Sequence, residues 1–354
     1  MKKGVATVAQ LFDFDEIVDT RSPAEFAEDR IPGAINCPVL DDAQRARVGT
    51  IYKQISPFEA RRLGGALVAE NIARHLHTHF MDKPKSWRPL VYCWRGGQRS
   101  GSFVTWLRLI GWDAQQLEGG YKAFRHLVVN ELMAYSMLLP FQVIGGATGS
   151  GKTRLLEALR SAGAQVVDLE SLASHKGSVL GELPNQAQPT QKGFETALWA
   201  TLRGLDRSRP VFVEAESRKI GRLHLPEPLI ETMRKSPCLI IEADREVRLE
   251  FLLRDYAYLG EDPIRLQAKI GCLAGVQSNA TLDRWKTLAA EGALAELFGE
   301  LMDQHYDPLY KRSQQHNYIG YAAAPVLCAP SLDPEGLAGL AREILKSTAM
   351  PNDR

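Results

Sequence analysis

Phe141-Gln-Val-Ile-Gly-Gly-Ala-Thr-Gly-Ser-Gly-Lys-Thr153 decides the architecture of more than half of this 354-residue chain. An apolar run of strand length enters Gly146-x-x-x-x-Gly151-Lys152-Thr153, and a helix-forming stretch, 152–162, leaves it. Strand, glycine-rich turn and helix in that order form the context in which this pattern makes a phosphate-binding loop. Backbone N–H groups between Gly146 and Gly151, those of Thr148, Gly149 and Ser150 among them, can turn inward onto phosphate oxygens. The helix N-terminus adds roughly half a positive charge. Lys152 would reach the terminal phosphates, and the Thr153 hydroxyl would hold Mg²⁺.

Downstream, the apolar runs 164–168, 210–214 and 239–242 alternate with helical patterns at 152–162, after 192 and at 245–256. That alternation predicts a parallel α/β sheet. A Gly/Pro/Gln-rich connection occupies 175–192, and from about 262 the pattern is mostly helical. Glu214 and Glu216 end an apolar strand, where an acid can organise Mg²⁺ through water; Glu in place of the usual Asp leaves a solvated strand end as an equal reading. Asp168, ending another strand, would either accept a substrate proton or cap the next helix. Arg245, Arg248 and Arg254 recur on one helix, as a phosphate lid or as a salt-bridged surface.

Upstream, the short strand Pro89-Leu-Val-Tyr92 delivers Cys93-Trp-Arg-Gly-Gly-Gln-Arg-Ser100. Gly96 and Gly97 permit a tight curl that aims successive N–H groups, with Gln98 and Ser100, at a centre above the sulfur. Arg95, Arg99 and the helix beginning near Ser100 add positive potential. These are the surroundings of a reactive thiolate that faces a tetrahedral anion. Cys37, Cys238, Cys272 and Cys328 lie in apolar neighbourhoods and read as structural. Helical patterns at 24–30, 41–88, 100–109 and 121–138, with strands near 17–18 and 34–36, make the first part a second α/β unit. The boundary falls near Pro140, giving domains 1–138 and 139–354.

Composition narrows the function classes. The chain carries 43 basic and 42 acidic residues, net +1, so any nucleic-acid surface must be a local patch. Candidates are Arg45, Arg47, Lys53, Arg61 and Arg62, with Arg218, Lys219 and Arg222. Five scattered cysteines without a C-x-x-C pair argue against zinc and dithiol chemistry and for a reducing cytoplasmic setting. The start has too short an apolar stretch for a signal peptide, and no run approaches the ~18 apolar residues of a membrane span. No tightly bound cofactor and no certain metal ligand set is expected beyond Mg²⁺ at the phosphate loop.

The first third resembles the rhodanese domain, through Asp19-Thr-Arg21, Glu25-Phe26, Arg30-Ile-Pro-Gly-Ala-Ile-Asn36, the strand into Cys93 and Leu117-Glu-Gly-Gly120. Its cysteine loop is one residue longer than in common sulfurtransferases and matches dual-specificity phosphatases of that fold. Joined to Arg47-Val-Gly-Thr-Ile-Tyr-Lys53, Ala60-Arg-Arg-Leu-Gly64 and the phosphate loop, the whole resembles the bacterial tRNA 2-selenouridine synthases. That resemblance implies an enzyme of the tRNA wobble position acting on 2-thiouridine in the Lys, Glu and Gln isoacceptors. It implies geranylation of the thiocarbonyl sulfur from geranyl diphosphate, then replacement of the S-geranyl group by selenium from selenophosphate. Cys93 would carry the selenium as an S-selanyl intermediate, and Trp94 could stack a flipped base. The phosphate loop would serve the prenyl diphosphate instead of ATP. A fused cysteine phosphatase–kinase is the alternative, and a non-catalytic binding module leaves the activated thiol without a purpose.

Overall fold

The computed structural model describes residues 4–349. By contact density the chain forms two compact units, residues 1–131 with 190–200, and 132–189 with 201–354. The division thus falls seven residues before the expected 138/139 boundary, inside the helix Gly120–Leu138, and assigns a short downstream segment to the first unit.

The first unit holds a five-stranded parallel sheet of β1 (Val5–Ala6), β2 (Glu16–Asp19), β3 (Ile35–Asn36), β4 (Pro89–Tyr92) and β5 (Gln115–Leu117), in the order β1-β5-β4-β2-β3. β4 is central and buried at every position, as a continuous apolar run in a parallel sheet should be. β1 and β5 were not legible as strands; each is two or three residues long and pairs only with distant chain. The expected helical pattern over 41–88 resolves into the helices Asp42–Gln54 and Pro57–His75. Ser56-Pro57 separates them: the Ser56 hydroxyl caps Phe58 N–H, and proline stands where its missing N–H costs nothing.

The segment 190–200 joins this unit through specific contacts. Thr196 Oγ1 donates to Asp29 Oδ2 at 3.0 Å, and Trp199 Nε1 donates to Glu131 at 2.7 Å. Arg125 pairs with Glu195, and Trp199 meets Phe124 edge-on at 5.4 Å.

The second unit carries another parallel sheet, of β6 (Phe141–Gly146), β7 (Gln165–Val167), β8 (Val211–Glu214), β11 (Cys238–Glu242) and β12 (Val326–Cys328), in the order β12-β11-β6-β8-β7. Between β8 and β11 lies a small antiparallel pair, β9 (Lys219–Ile220) and β10 (Leu223–His224). β6 is central, so the turn after it faces the end of β8 at one sheet edge, the place where ligands bind in open α/β sheets. The region from about 262 is mostly helical, as expected, with one strand added: Val326–Cys328 pairs in parallel with Ile240–Glu242. Val326 and Cys328 are exposed and only Leu327 packs inward, too short an alternation to mark a strand in the sequence. The helices Lys152–Ser161 and Pro334–Ala349 cover one face through Leu155, Leu159, Leu337 and Ile344. A separate helical cluster centres on Leu266, Trp285, Leu297 and Met302.

Candidate functional sites: a cysteine cradle and a phosphate loop

Cys93 follows the central strand of the first sheet and is 3% exposed. Its sulfur accepts from Gly97 N–H at 3.3 Å and from Ser100 Oγ at 3.1 Å. Gln116, in the middle of β5, holds both donors in place: its Nε2 donates to Gly97 O at 2.9 Å and to Ser100 Oγ at 2.8 Å. The helix Gln98–Ile110 begins two residues earlier than expected and points its N-terminus at the loop.

The curl is braced from behind by Leu117-Glu-Gly-Gly120. Tyr121 N–H donates to Cys93 O at 2.8 Å and Lys122 N–H to Trp94 O at 3.0 Å. Gly120 has φ +57°, and a Cβ there would lie 2.5 Å from Gly96 N and within contact distance of Cys93 O. Two backbones therefore touch where no side chain fits. Asp19-Thr-Arg21 is the deeper brace. Arg21 is buried, pairs with Asp19 at 2.6 Å, donates to Asp29 O at 2.7 Å and lies 4.1 Å over the Tyr121 ring. Thr20 Oγ1 donates to Tyr92 O at 2.8 Å, next to the cysteine.

The two arginines of the loop part company. Arg95 is exposed at the rim. Arg99 does not turn to the sulfur; it binds Glu25 at 2.7 Å, and Arg45 approaches the same carboxylate at 3.3 Å. Burial alone would raise the Glu25 carboxyl, but hydrogen bonding and charge from Arg99 outweigh it and hold the group below the ordinary range. Sulfur is thus cradled by neutral donors, with Arg99 one step removed. Trp94 is half-buried, its ring 5.2 Å from that of Tyr121.

In the second unit, Lys152 opens its helix and its Nζ donates to Gly146 O and Ala147 O at 3.1 and 3.0 Å. Ser150 Oγ donates to Ala147 O at 2.8 Å, closing the turn. Gly149, at φ +76°, brings the loop backbone so near the helix Arg245–Asp255 that a Cβ would meet Leu252 Cγ at 2.8 Å. Gly146 is held by buried Gln314, which accepts from its N–H at 3.1 Å and donates to its O at 3.0 Å.

Thr153 Oγ1 lies 3.0 Å from Glu170 Oε2 and 3.3 Å from Glu214 Oε2. Register explains the second contact, since Ile144 pairs with Glu214 across β6 and β8. Carboxylate oxygens of Glu170, Glu214 and Glu216 all fall within 4.8 Å of one another. Burial first, then the neighbouring carboxylates, pushes Glu170 and Glu216 up to about 8 and holds Glu214 well above the ordinary carboxyl range. Burial likewise lowers Lys152, against the pull of the same acids. Three oxygen donors and a threonine hydroxyl at a phosphate loop suit a hard divalent cation such as Mg²⁺. Glu170 was invisible to sequence reasoning, because only the short helix after β7, Leu169–Ala173, carries it to Thr153.

Asp168 caps the helix Leu169–Ala173, accepting from Ser171 N–H at 2.8 Å. Two of the three arginines are salt-bridged, Arg245 to Asp303 at 2.7 Å and Arg248 to Asp307 at 2.7 Å, while Arg254 donates to Leu332 O at 2.9 Å. Arg248 alone touches the loop, donating to Thr148 O at 3.0 Å. A cleft of about 290 Å³ runs over the loop and acids, walled also by His175, Lys176, Tyr256 and Tyr310.

The basic candidates remain at the surface. Arg47 and Lys53 are exposed and make no ion pair among the described residues. Arg61 donates to Pro57 O, and Arg62 pairs with Glu59 at 2.6 Å. Arg218 pairs with Glu227 at 2.8 Å, Lys219 is exposed, and Arg222 donates to Gln188 O at 2.6 Å. No helix among the described residues is long and apolar enough to cross a membrane.

Comparison with known proteins agrees with this two-part geometry. Residues 5–127 match the rhodanese-like domain model, and residues 139–281 match that of the tRNA 2-selenouridine synthase AAA domain. The chain is similar to the tRNA 2-selenouridine synthase of Alcanivorax borkumensis, 35% identical over 83% of this chain and 88% of that one. Proteins of the same name from a Sulfurovum species and Bdellovibrio bacteriovorus are 32% and 31% identical, covering 85% and 86% of this chain and 89% and 90% of theirs. A rhodanese cradle and a phosphate loop in this order, shared with relatives over most of their length, place the chain in the tRNA 2-selenouridine synthase family.

Proposed function

We propose that this protein is a tRNA-modifying enzyme of the cytoplasm that converts 2-thiouridine at the wobble position, U34, to 2-selenouridine. Its substrates would be the Lys, Glu and Gln isoacceptors. In the first step the thiocarbonyl sulfur attacks C1 of geranyl diphosphate; the C1–O bond breaks and diphosphate leaves from the Lys152 loop. In the second, selenophosphate is bound over Cys93 and its selenium attacks C2; the C2–S bond breaks and geranylthiol leaves, and hydrolysis of the Se–P bond releases phosphate and 2-selenouridine. Alkylation matters because it turns a poor leaving group into a neutral thiol.

One observation carries this reading: the sulfur of Cys93 accepts two hydrogen bonds, from Gly97 N–H and Ser100 Oγ, at the bottom of an anion-sized curl. Donors aimed at one atom stabilise negative charge on it without reorganisation. The phosphate loop supports the other half. Lys152 and the N–H groups of the loop would bind a leaving diphosphate, and Glu170, Glu214 and Glu216 would hold Mg²⁺, which supplies charge neutralisation. The phosphatase–kinase alternative draws less support, since Arg99, which would clamp a phosphoester, is bound to Glu25.

The test is nucleoside mass spectrometry. With thiolated tRNA, geranyl diphosphate and selenophosphate, Cys93→Ala should accumulate the geranylated nucleoside and make no selenouridine, while Lys152→Ala should leave 2-thiouridine unmodified. Selenouridine formation by Cys93→Ala, or no modification by the parent protein, would overturn the assignment.

A further inference from the structure

The first unit holds a second cysteine among groups able to bind a metal. Cys37 follows β3 and is fully buried; its N–H donates to Asp19 O at 2.8 Å, and its thiol is free. Beside it the helix Pro57–His75 continues as one π-helical turn, Leu76–Phe80. His75 and His79 stack there with their ring centroids 5.8 Å apart. One ligand atom from each of Cys37, His75 and His79 lies within 4.8 Å of the other two. Cys37 and His75 are buried, and His79 is exposed.

We infer that Cys37, His75 and His79 bind a thiophilic divalent metal ion of the zinc class, with water completing the coordination on the exposed His79 side. One sulfur and two imidazoles form a donor set that suits Zn²⁺, whereas Mg²⁺ takes oxygen. Histidines four apart on a helix can turn one face to an ion. His75 Nε2 lies 3.0 Å from Pro38 O. A carbonyl only accepts, so Nε2 carries the proton and Nδ1 the lone pair. Zinc-binding histidines are fixed in their tautomer by a bond of this kind, from the second ring nitrogen to a carbonyl. Phe103 closes the buried side, its ring 6.3 Å from that of His75, with Phe80 edge-on to Phe103 at 6.1 Å. The exposed His79 supplies the entry path.

This site is separate from both cradles: Glu170, Glu214 and Glu216 offer only oxygen, and Cys93 has its own two hydrogen-bond donors. The ion would clip β3, a two-residue edge strand, to the end of a 19-residue helix. Next to Cys37, Asn36 Nδ2 donates to Asp19 O at 3.1 Å and to Arg21 O at 3.0 Å. The clip would therefore bear on the Asp19–Arg21 brace behind the cysteine cradle. As the metal–sulfur bond forms, the Cys37 S–H proton passes to solvent, and no electron is exchanged.

Cobalt titration, zinc binding and thermal unfolding of the full chain test this. Co²⁺ should give a sulfur-to-cobalt charge-transfer band in the near ultraviolet, which Zn²⁺ removes by displacement and Mg²⁺ leaves intact. The band should survive Cys93→Ser and vanish in Cys37→Ser. His79→Ala, a change at an exposed position, should weaken Zn²⁺ binding about tenfold or more, since even an outer-shell partner costs that much. Saturating Zn²⁺ should raise the melting temperature of the parent by about 5 °C or more and that of His79→Ala by less. No cobalt–sulfur band in the parent, or a band lost with Cys93 and kept without Cys37, would overturn the site. Zinc affinity unchanged in His79→Ala would overturn it too. Should Cys37→Ser fail to fold, Cys93→Ser and His79→Ala decide between them.

Discussion

Cys93 sits among neutral donors braced by backbone, whereas Lys152 sits among three carboxyls that burial has forced toward their protonated forms. Both sites follow the central strand of a parallel sheet, and both use glycines where backbone meets backbone or side chain. The difference lies in how each stores its electrostatics. The cysteine cradle is complete without a ligand, since its dipoles are fixed by Gln116, Tyr121 and the Gly120 turn. The phosphate loop is crowded with the buried carboxyls of Glu170, Glu214 and Glu216. A preorganised dipole cage suits a thiolate that must stay reactive; a cage of buried carboxyls suits a hard divalent cation.

The sharpest break in that comparison should come from Gly120→Ala. The added Cβ would strike the backbone of Gly96 and Cys93 at a φ that alanine resists, destabilising the first unit by about 3 kcal/mol or more. Thermal unfolding should show the loss, and Gly163→Ala, at a positive-φ turn where a Cβ meets nothing, should cost less.

Next in size is a pH effect confined to the phosphate loop. Glu170 and Glu216 titrate near 8 when folded and near 4.5 when unfolded, so the folded chain holds extra protons between these values. Their contribution to stability is full below about pH 4.5 and is lost as pH rises through about 8. Mg²⁺ should reverse the loss, raising the melting temperature more at about pH 8.5 than at about pH 6. A Mg²⁺ shift independent of pH would separate the cation from these carboxyls.

Ser100→Ala removes one of two hydrogen bonds to sulfur and should slow alkylation of Cys93 about tenfold. Its effect on Mg²⁺-dependent stability should be nil, since the two cages are built from separate residues. The smallest effect belongs to the surface. Arg61→Glu with Arg62→Glu should weaken tRNA binding modestly and reduce the slope of log affinity against log salt by about two. An unchanged slope would remove that helix from the RNA footprint.

Much of this was legible in the chain itself because both cradles are contiguous. Eight residues from Cys93 and eight from Gly146 name their own donors, turns and helix starts. Arg99 shows the limit of that legibility: its spacing suggests a clamp on the anion, yet Glu25, distant in sequence, takes the guanidinium. Glu170 and Gln314 show it from the other direction. Neither stands in a motif, and each reaches the phosphate loop across strands or helices that only pack together in the fold. β12 escaped notice because an exposed three-residue edge strand carries no periodicity; hydrogen bonding to β11 defines it.

From the residues in order alone came two parallel α/β units, a thiol in an anion curl and a loop for phosphates, since local geometry follows from glycines, apolar runs and caps within a few positions. Tertiary packing alone decided which polar groups meet: Arg99 with Glu25, Thr153 with Glu170 and Glu214, Thr196 with Asp29. It also brought Cys37 to His75 and His79. Those pairings depend on sheet order and helix docking, and burial, which sets the protonation of the acids, is a property of the whole packed unit and of no short stretch within it.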